Sequence, residues 1–241
     1  MNAPREHGAW GILLIPFATA VGIAGVFDRP VALLLVSVLC FYLARASFLK
    51  GDYRWTTGLL FLSVLAAGPV IWIWHRWWLL AFGAAVVPVA VRRTERGVAQ
   101  QLTAVASLTL TASIGWYAAT GSLGWPAWRL WLLNAVYFAG RVLYVNLHIT
   151  AAIQRSFSRL RLGASTLVYH GALLVVAVAW WPIGLAFVPD IIHTFIGVAR
   201  LTPVLRIKQL AWMEVAASVV FGVSLIVVMR TFHCPIGNLS P

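Results

Sequence analysis

The chain has 241 residues, 61% hydrophobic and 10% charged, and its 18 Lys and Arg against 6 Asp and Glu give a formal net charge of +12. Ordinary soluble domains carry about 25% charged residues, so this composition excludes a water-soluble globule and points to a bilayer. The positive balance does not indicate nucleic acid: the basic residues are scattered between apolar runs, a pattern that suits anionic headgroups and orientation in a membrane.

A spanning helix needs about 20 apolar residues, and nine segments are readable in chain order. The first, residues 9–27, carries Pro16 as an expected kink. It is followed by Asp28, Arg29 and Pro30 with no small-residue cleavage motif, so it is expected to be a retained helix. The second covers 31–49, and the third 55–74 with an expected break at Gly68-Pro69. The fourth, 77–91, is short and bent at Pro88, and the fifth covers 98–120. The sixth is 126–148, the seventh 165–181, the eighth 189–200 and the ninth 209–229. Proline in the first turn suits the sixth and the eighth. The eighth is the shortest and is read as either spanning or re-entrant. The fold class is therefore all-α, a polytopic transmembrane bundle of about nine helices, with residues 1–241 forming a single integral membrane domain. Two cysteines, Cys40 and Cys234, imply no disulfide framework; one lies within the second segment and the other beyond the ninth.

Orientation follows from the basic residues. With the N-terminus inside, thirteen Lys and Arg fall on inner segments and four, Arg29, Arg76, Arg129 and Arg230, on outer ones. The positive-inside rule then gives N-in and C-out. The longest inner loop, 149–163, sets Arg155, Arg159 and Arg161 among Ile153, Phe157, Leu160 and Leu162. It reads either as a solvated positive loop or as a short amphipathic helix on an anionic leaflet.

The eighteenth basic residue, Arg141, lies inside the sixth segment. Asn134, Arg141 and His148 recur every seven residues with Tyr137 and Tyr144 between them, so the five share one helix face. A charge inside a membrane helix costs about 2.5–3.5 kcal/mol and faces a bundle interior and a partner. Polar residues of this kind also glue helices together. Glu214, in the ninth segment, is the natural partner and is read as the intramembrane carboxylate. The pair is either a structural salt bridge or part of a site.

Near the end of the second segment Tyr42, Arg45, Leu49 and Asp52 share a face, and Arg45 with Lys50 can clamp a phosphate or simply snorkel to the interface. In the eighth segment Asp190, His193, Gly197 and Arg200 are helically spaced. They make either a proton path or a short helix with dipole-matched ends. His148 and His170 are candidate haem ligands by position, but there is no HxxxH, no CxxCH and no acidic cluster, so no metal or cofactor is expected. The polar residues of the fifth segment, Gln100 to Ser113, read as helix packing.

The opening REHGAWGILLIPF, Arg5–Phe17, resembles the start of the YwiC-like family of bacterial membrane proteins, and PVLRIKQLAWMEVAASVVF, Pro203–Phe221, resembles its closing segment. Arg5, His7, Trp10, Arg206, Lys208 and Glu214 are the matching positions. The resemblance implies a bacterial inner-membrane protein and little chemistry. A weaker, topological resemblance is to the UbiA-type intramembrane prenyltransferases, which hold a diphosphate through Mg²⁺ on two Asp-rich loops. Here the corresponding loops offer only Asp52, so a transferase of this kind would be degenerate.

The expected ligand-binding set is Arg45, Lys50, Asn134, Arg141, Tyr144, His148 and Glu214. These are expected to line a cavity open to the inner leaflet and to hold the anionic headgroup of a lipid, isoprenoid or quinone, in a non-catalytic binding or accessory role. Catalytic residues are not assignable, and whether the chain is an enzyme stays open. The alternatives are a degenerate transferase, a transporter, or a structural subunit of a larger complex. Expected partners are membrane lipids or other membrane subunits, not nucleic acid.

Overall fold

A computed structural model of the chain describes residues 7–91, 97–154, 158–202 and 207–232, with side chains placed for all of these except 7–9, 87–91, 207 and 208. Arg5, Arg92, Arg93, Arg96, Arg155, Arg206 and Cys234 lie outside the described residues, as do the side chains of His7, Pro88 and Lys208.

Among the described residues the regular structure is helical throughout. The helices are α1 (His7–Ala24), α2 (Arg29–Leu49), α3 (Tyr53–Trp72), α4 (Trp78–Val91), α5 (Val98–Thr120), α6 (Trp125–Ile153), α7 (Arg159–Ala179), α8 (Val188–Ala199) and α9 (Ile207–Thr231). A 3-10 turn, Ile183–Phe187, leads into α8. Six of the nine (α2, α3, α5, α6, α7 and α9) are long and apolar enough to cross a membrane. Their outward faces stay apolar: Phe61, Val64 and Trp72 on α3 and Val168 and Val178 on α7 are exposed, as lipid-facing side chains should be. The chain is a multi-pass membrane protein.

Local chemistry sets the helix ends. The Asp28 carboxylate accepts from the Val31 N–H at 3.2 Å and Pro30 occupies the first turn of α2. Asp52 caps α3 in the same way, accepting from Trp55 N–H at 3.4 Å. Gly121 ends α5 at φ 78°, in the left-handed region glycine favours, and the Arg76 guanidinium occupies the space a Cβ would need. That guanidinium also lies over the Tyr117 ring, 5.5 Å from its centroid.

The contacts divide the chain into two compact units, one of Pro16–Trp131 and one of Leu132 onward together with the opening of α1. In the first, α2 and α3 pair as a hairpin turned at Gly51, and the Ser63 hydroxyl donates to the Ser37 carbonyl at 2.9 Å across the pair. Phe17, Val31, Leu34, Val70, Phe82 and Ile114 form its core. In the second, Leu147, Ala151, Val198 and Leu201 pack together beside Leu162. Gly184 sits against the Ala177 carbonyl, where no Cβ fits.

Three local expectations change. Gly68-Pro69 does not break α3, which runs to Trp72. The fifth segment is tightened at Leu110, whose N–H bonds to the Ser107 carbonyl at 3.3 Å, a 3-10 step with no Pro or Gly to announce it. The expected loop 149–163 is largely absorbed by its neighbours: α6 continues to Ile153 and α7 already begins at Arg159. The segment 147–162 contains neither Gly nor Pro, so nothing stops either helix early. Leu162 packs against the Leu147 cluster, while Ile153 and Leu160 stay exposed.

Candidate functional site

The second unit gathers its ionisable groups around one guanidinium. Arg141, at the middle of α6, is only 4% exposed. Its Nε donates to Glu214 Oε2 at 2.7 Å and its Nη2 donates to Glu214 Oε1, the parallel two-bond geometry that a planar fork makes with a carboxylate. Its Nη1 donates to Asp190 Oδ1 at 2.6 Å. The same Nη1 lies 3.4 Å from His193 Nδ1. A guanidinium has no lone pair to offer, so that ring nitrogen is the acceptor. Below the fork the Tyr144 ring lies with its centroid 4.6 Å from Cζ, close enough for cation–π attraction.

Three helices supply these groups. Arg141 and Tyr144 are one turn apart on α6, so the guanidinium rests on the ring that follows it. Asp190 and His193 are one turn apart at the start of α8, which the 3-10 turn delivers to the site. Glu214 projects from α9, its backbone carbonyl accepting from the Ser218 hydroxyl at 2.8 Å. Close helix approach is secured by glycine. A Cβ on Gly197 of α8 would run into the Tyr144 hydroxyl, and one on Gly140 of α6 would press on the His170 and Tyr169 rings.

A second layer surrounds Asp190. His170 of α7, fully buried, brings Nε2 to 3.4 Å from Asp190 Oδ2. Its Nδ1 is 2.8 Å from the Thr166 carbonyl, and the Thr194 hydroxyl is 3.3 Å from Nε2. Beyond, Tyr137 stacks flat on Phe221 with centroids 3.8 Å apart, tying α6 to α9. On the other side Tyr144 leads to His148, whose ring is 4.4 Å away and half-buried.

Of the expected ligand-binding residues, Arg141, Tyr144, His148 and Glu214 come together here, and Asn134 is fully buried on the same helix. Arg45, half-buried on α2, and Lys50, which caps α2, belong to the first unit. Arg141 and Glu214 pair directly, as the sequence suggested. One correction concerns charge. Among the described residues Glu214 is not the sole acid at Arg141, since Asp190 is engaged as well, so two carboxylates answer one guanidinium. A cleft of about 110 Å³ in this unit lies along Leu132, Val136, Leu173, Val176, Trp180 and Phe187 and is apolar. Asp190, His170 and His193 are the site residues that the sequence placed elsewhere. Asp190 does stand in the first turn of α8, so its dipole role and its ion pair coexist. Asp52 caps α3.

This architecture and buried cluster define a polytopic helical membrane protein with an intramembrane ion-pair network. The family comparison agrees with the resemblance carried by the opening segment: the model of the YwiC-like protein family matches residues 3–116, just under half of the chain. The chain is also 26% identical, over 226 residues covering 83% of it and 88% of the relative, to the uncharacterised protein YwiC of Bacillus subtilis (strain 168). No solved structure matches significantly.

Proposed function

We propose that the protein is a non-catalytic binding or accessory protein of the bacterial cytoplasmic membrane, and that Arg141 is its headgroup site. The observation that carries this reading is the way Glu214 occupies Arg141. Its carboxylate takes both fork positions, as a phosphate or carboxylate headgroup would. It is also the most exposed of the three charged side chains, at 12% against 5% for Arg141 and 3% for Asp190. Glu214 is thus an internal stand-in that an anionic lipid, isoprenoid or quinone headgroup displaces, while Asp190 keeps the guanidinium in place. Tyr144 and His148 extend the polar face for the remainder of the headgroup, and lipid-facing α9 provides the approach.

Lipids copurifying with the wild type and with Arg141→Gln, identified by mass spectrometry, test this. The proposal expects an anionic amphiphile to be enriched on the wild type and lost from the variant. Equal lipid profiles on the two proteins would defeat it. The second reading, a structural subunit, is favoured by the dryness of the Arg141–Asp190 contact, and equal profiles would speak for that role.

A further inference from the structure

Beyond the headgroup reading, and independent of it, we infer that the cluster binds one proton inside the membrane, held between His170 Nε2 and Asp190 Oδ2. The first argument is directional. His170 Nδ1 faces the Thr166 carbonyl at 2.8 Å, and a carbonyl only accepts, so Nδ1 carries a hydrogen. In a ring with a single proton, Nε2 would then present a lone pair. What faces Nε2 is Asp190 Oδ2 at 3.4 Å, itself acceptor-only when ionised. Two lone pairs cannot satisfy each other, and Oδ2 is buried with no hydrogen-bond partner. One additional proton resolves the conflict, whether it resides on the ring or on the acid.

The second argument is charge. Among the described residues of the cluster, Arg141 supplies one positive charge, and Asp190 and Glu214 supply two negative ones, in a site where an unbalanced ion is costly. One further positive charge neutralises the set. His193 cannot provide it without turning its accepting Nδ1 away from Arg141. Of the other titratable neighbours, Tyr137, Tyr144 and Tyr169 are phenols, with Tyr169 donating to the Val136 carbonyl at 2.6 Å, and His148 lies half-buried beyond Tyr144 with its Nδ1 on the Tyr144 carbonyl at 3.1 Å. His170 is fully buried and sits where the missing charge is needed. Gly140, with no side chain, is what lets the ring lie this close to α6. The competing arrangement has the Thr194 hydroxyl donating to Nε2 at 3.3 Å, which satisfies the ring but leaves Oδ2 bare and the cluster one charge short.

The test is nitrogen-15 solid-state NMR of the full chain, labelled at histidine, in lipid bilayers at neutral pH, paired with infrared difference spectra of the carboxyl region. His170→Gln assigns the His170 signals; should it not fold, Thr194→Val assigns them by the small shift it causes. The inference expects hydrogens on both ring nitrogens in the wild type and loss of the Nε2 hydrogen in Asp190→Asn. A singly protonated ring together with a protonated-acid band that disappears in Asp190→Asn also supports it, since the proton is then on the acid. A singly protonated ring with an ionised Asp190 overturns it.

Discussion

Replacing Arg141 by glutamine should destabilise the protein strongly. The substitution deletes three charge-assisted hydrogen bonds, two to Glu214 and one to Asp190. Each is worth about 1.5–3 kcal/mol by truncation, but bonds that share one guanidinium do not add. The larger consequence is what remains: two carboxylates, one of them with a side chain only 3% exposed, lose their counter-ion. Breaking a buried pair by removing one partner costs about 3–5 kcal/mol. The lipid-solvated unfolded state also finds partners for its polar groups, which holds the expected loss to the lower half of that range. Glu214→Gln leaves Arg141 still bound to Asp190 and should cost less, about 1.5–3 kcal/mol. The double variant should be less destabilised than the sum of the two, because Glu214 no longer needs the guanidinium, with a coupling of about 1 kcal/mol or more. Reversible unfolding in bicelles, measured for the wild type, both single variants and the double variant, gives all four corners of the cycle. A loss below about 0.5 kcal/mol for Arg141→Gln, the usual range of an unremarkable surface change, or strict additivity in the cycle, would refute the ion-pair argument.

Other expectations follow from the same geometry. Gly197→Ala places a methyl on the Tyr144 hydroxyl and should cost about 1–3 kcal/mol in the same unfolding assay while disturbing the ring under Arg141; an unchanged stability would mean the helices part freely there. Ser63→Ala removes the hydroxyl bond to the Ser37 carbonyl and should cost about 0.6 kcal/mol, the mean for hydrogen bonds between membrane helices. A loss above about 2 kcal/mol would show that the α2–α3 pair depends on it more than that mean allows. Reporter fusions at Met1 and Pro241 should place the N-terminus inside and the C-terminus outside, as thirteen inner against four outer basic residues require. Both ends on one side would remove a span, α8 being the shortest and first to doubt.

The helices were legible because apolar run length and helix-stop residues are local properties. The second and third segments, expected from residues 31 and 55, begin within two residues of those positions, at Arg29 and Tyr53. Arg141 and Glu214 were legible as a pair because each is a costly charge in an apolar run and must find an opposite. Asp190 was not, because its local explanation, an acid at a helix N-terminus, is sufficient by itself and is also true. Only the path of the chain through Ile183–Phe187 brings it to Arg141, and no spacing rule in the sequence describes that path. His170 was misplaced for the same reason: its partner lies on the next helix, 20 residues on. The step at Leu110 has no Pro or Gly to announce it, only the flanking Thr109 and Thr111, whose hydroxyls bond back to the Val105 and Leu108 carbonyls.

The most direct measurement of the headgroup account is the binding of an anionic phospholipid, phosphatidylglycerol, to the delipidated wild type and to Glu214→Gln, with zwitterionic phosphatidylcholine as control, by native mass spectrometry. If Glu214 stands in for a headgroup on Arg141, removing its charge vacates the fork, and Glu214→Gln should hold phosphatidylglycerol about tenfold more tightly, the factor that 1.4 kcal/mol of lost competition gives, with phosphatidylcholine unchanged. Equal or weaker phosphatidylglycerol binding by the variant would contradict the account.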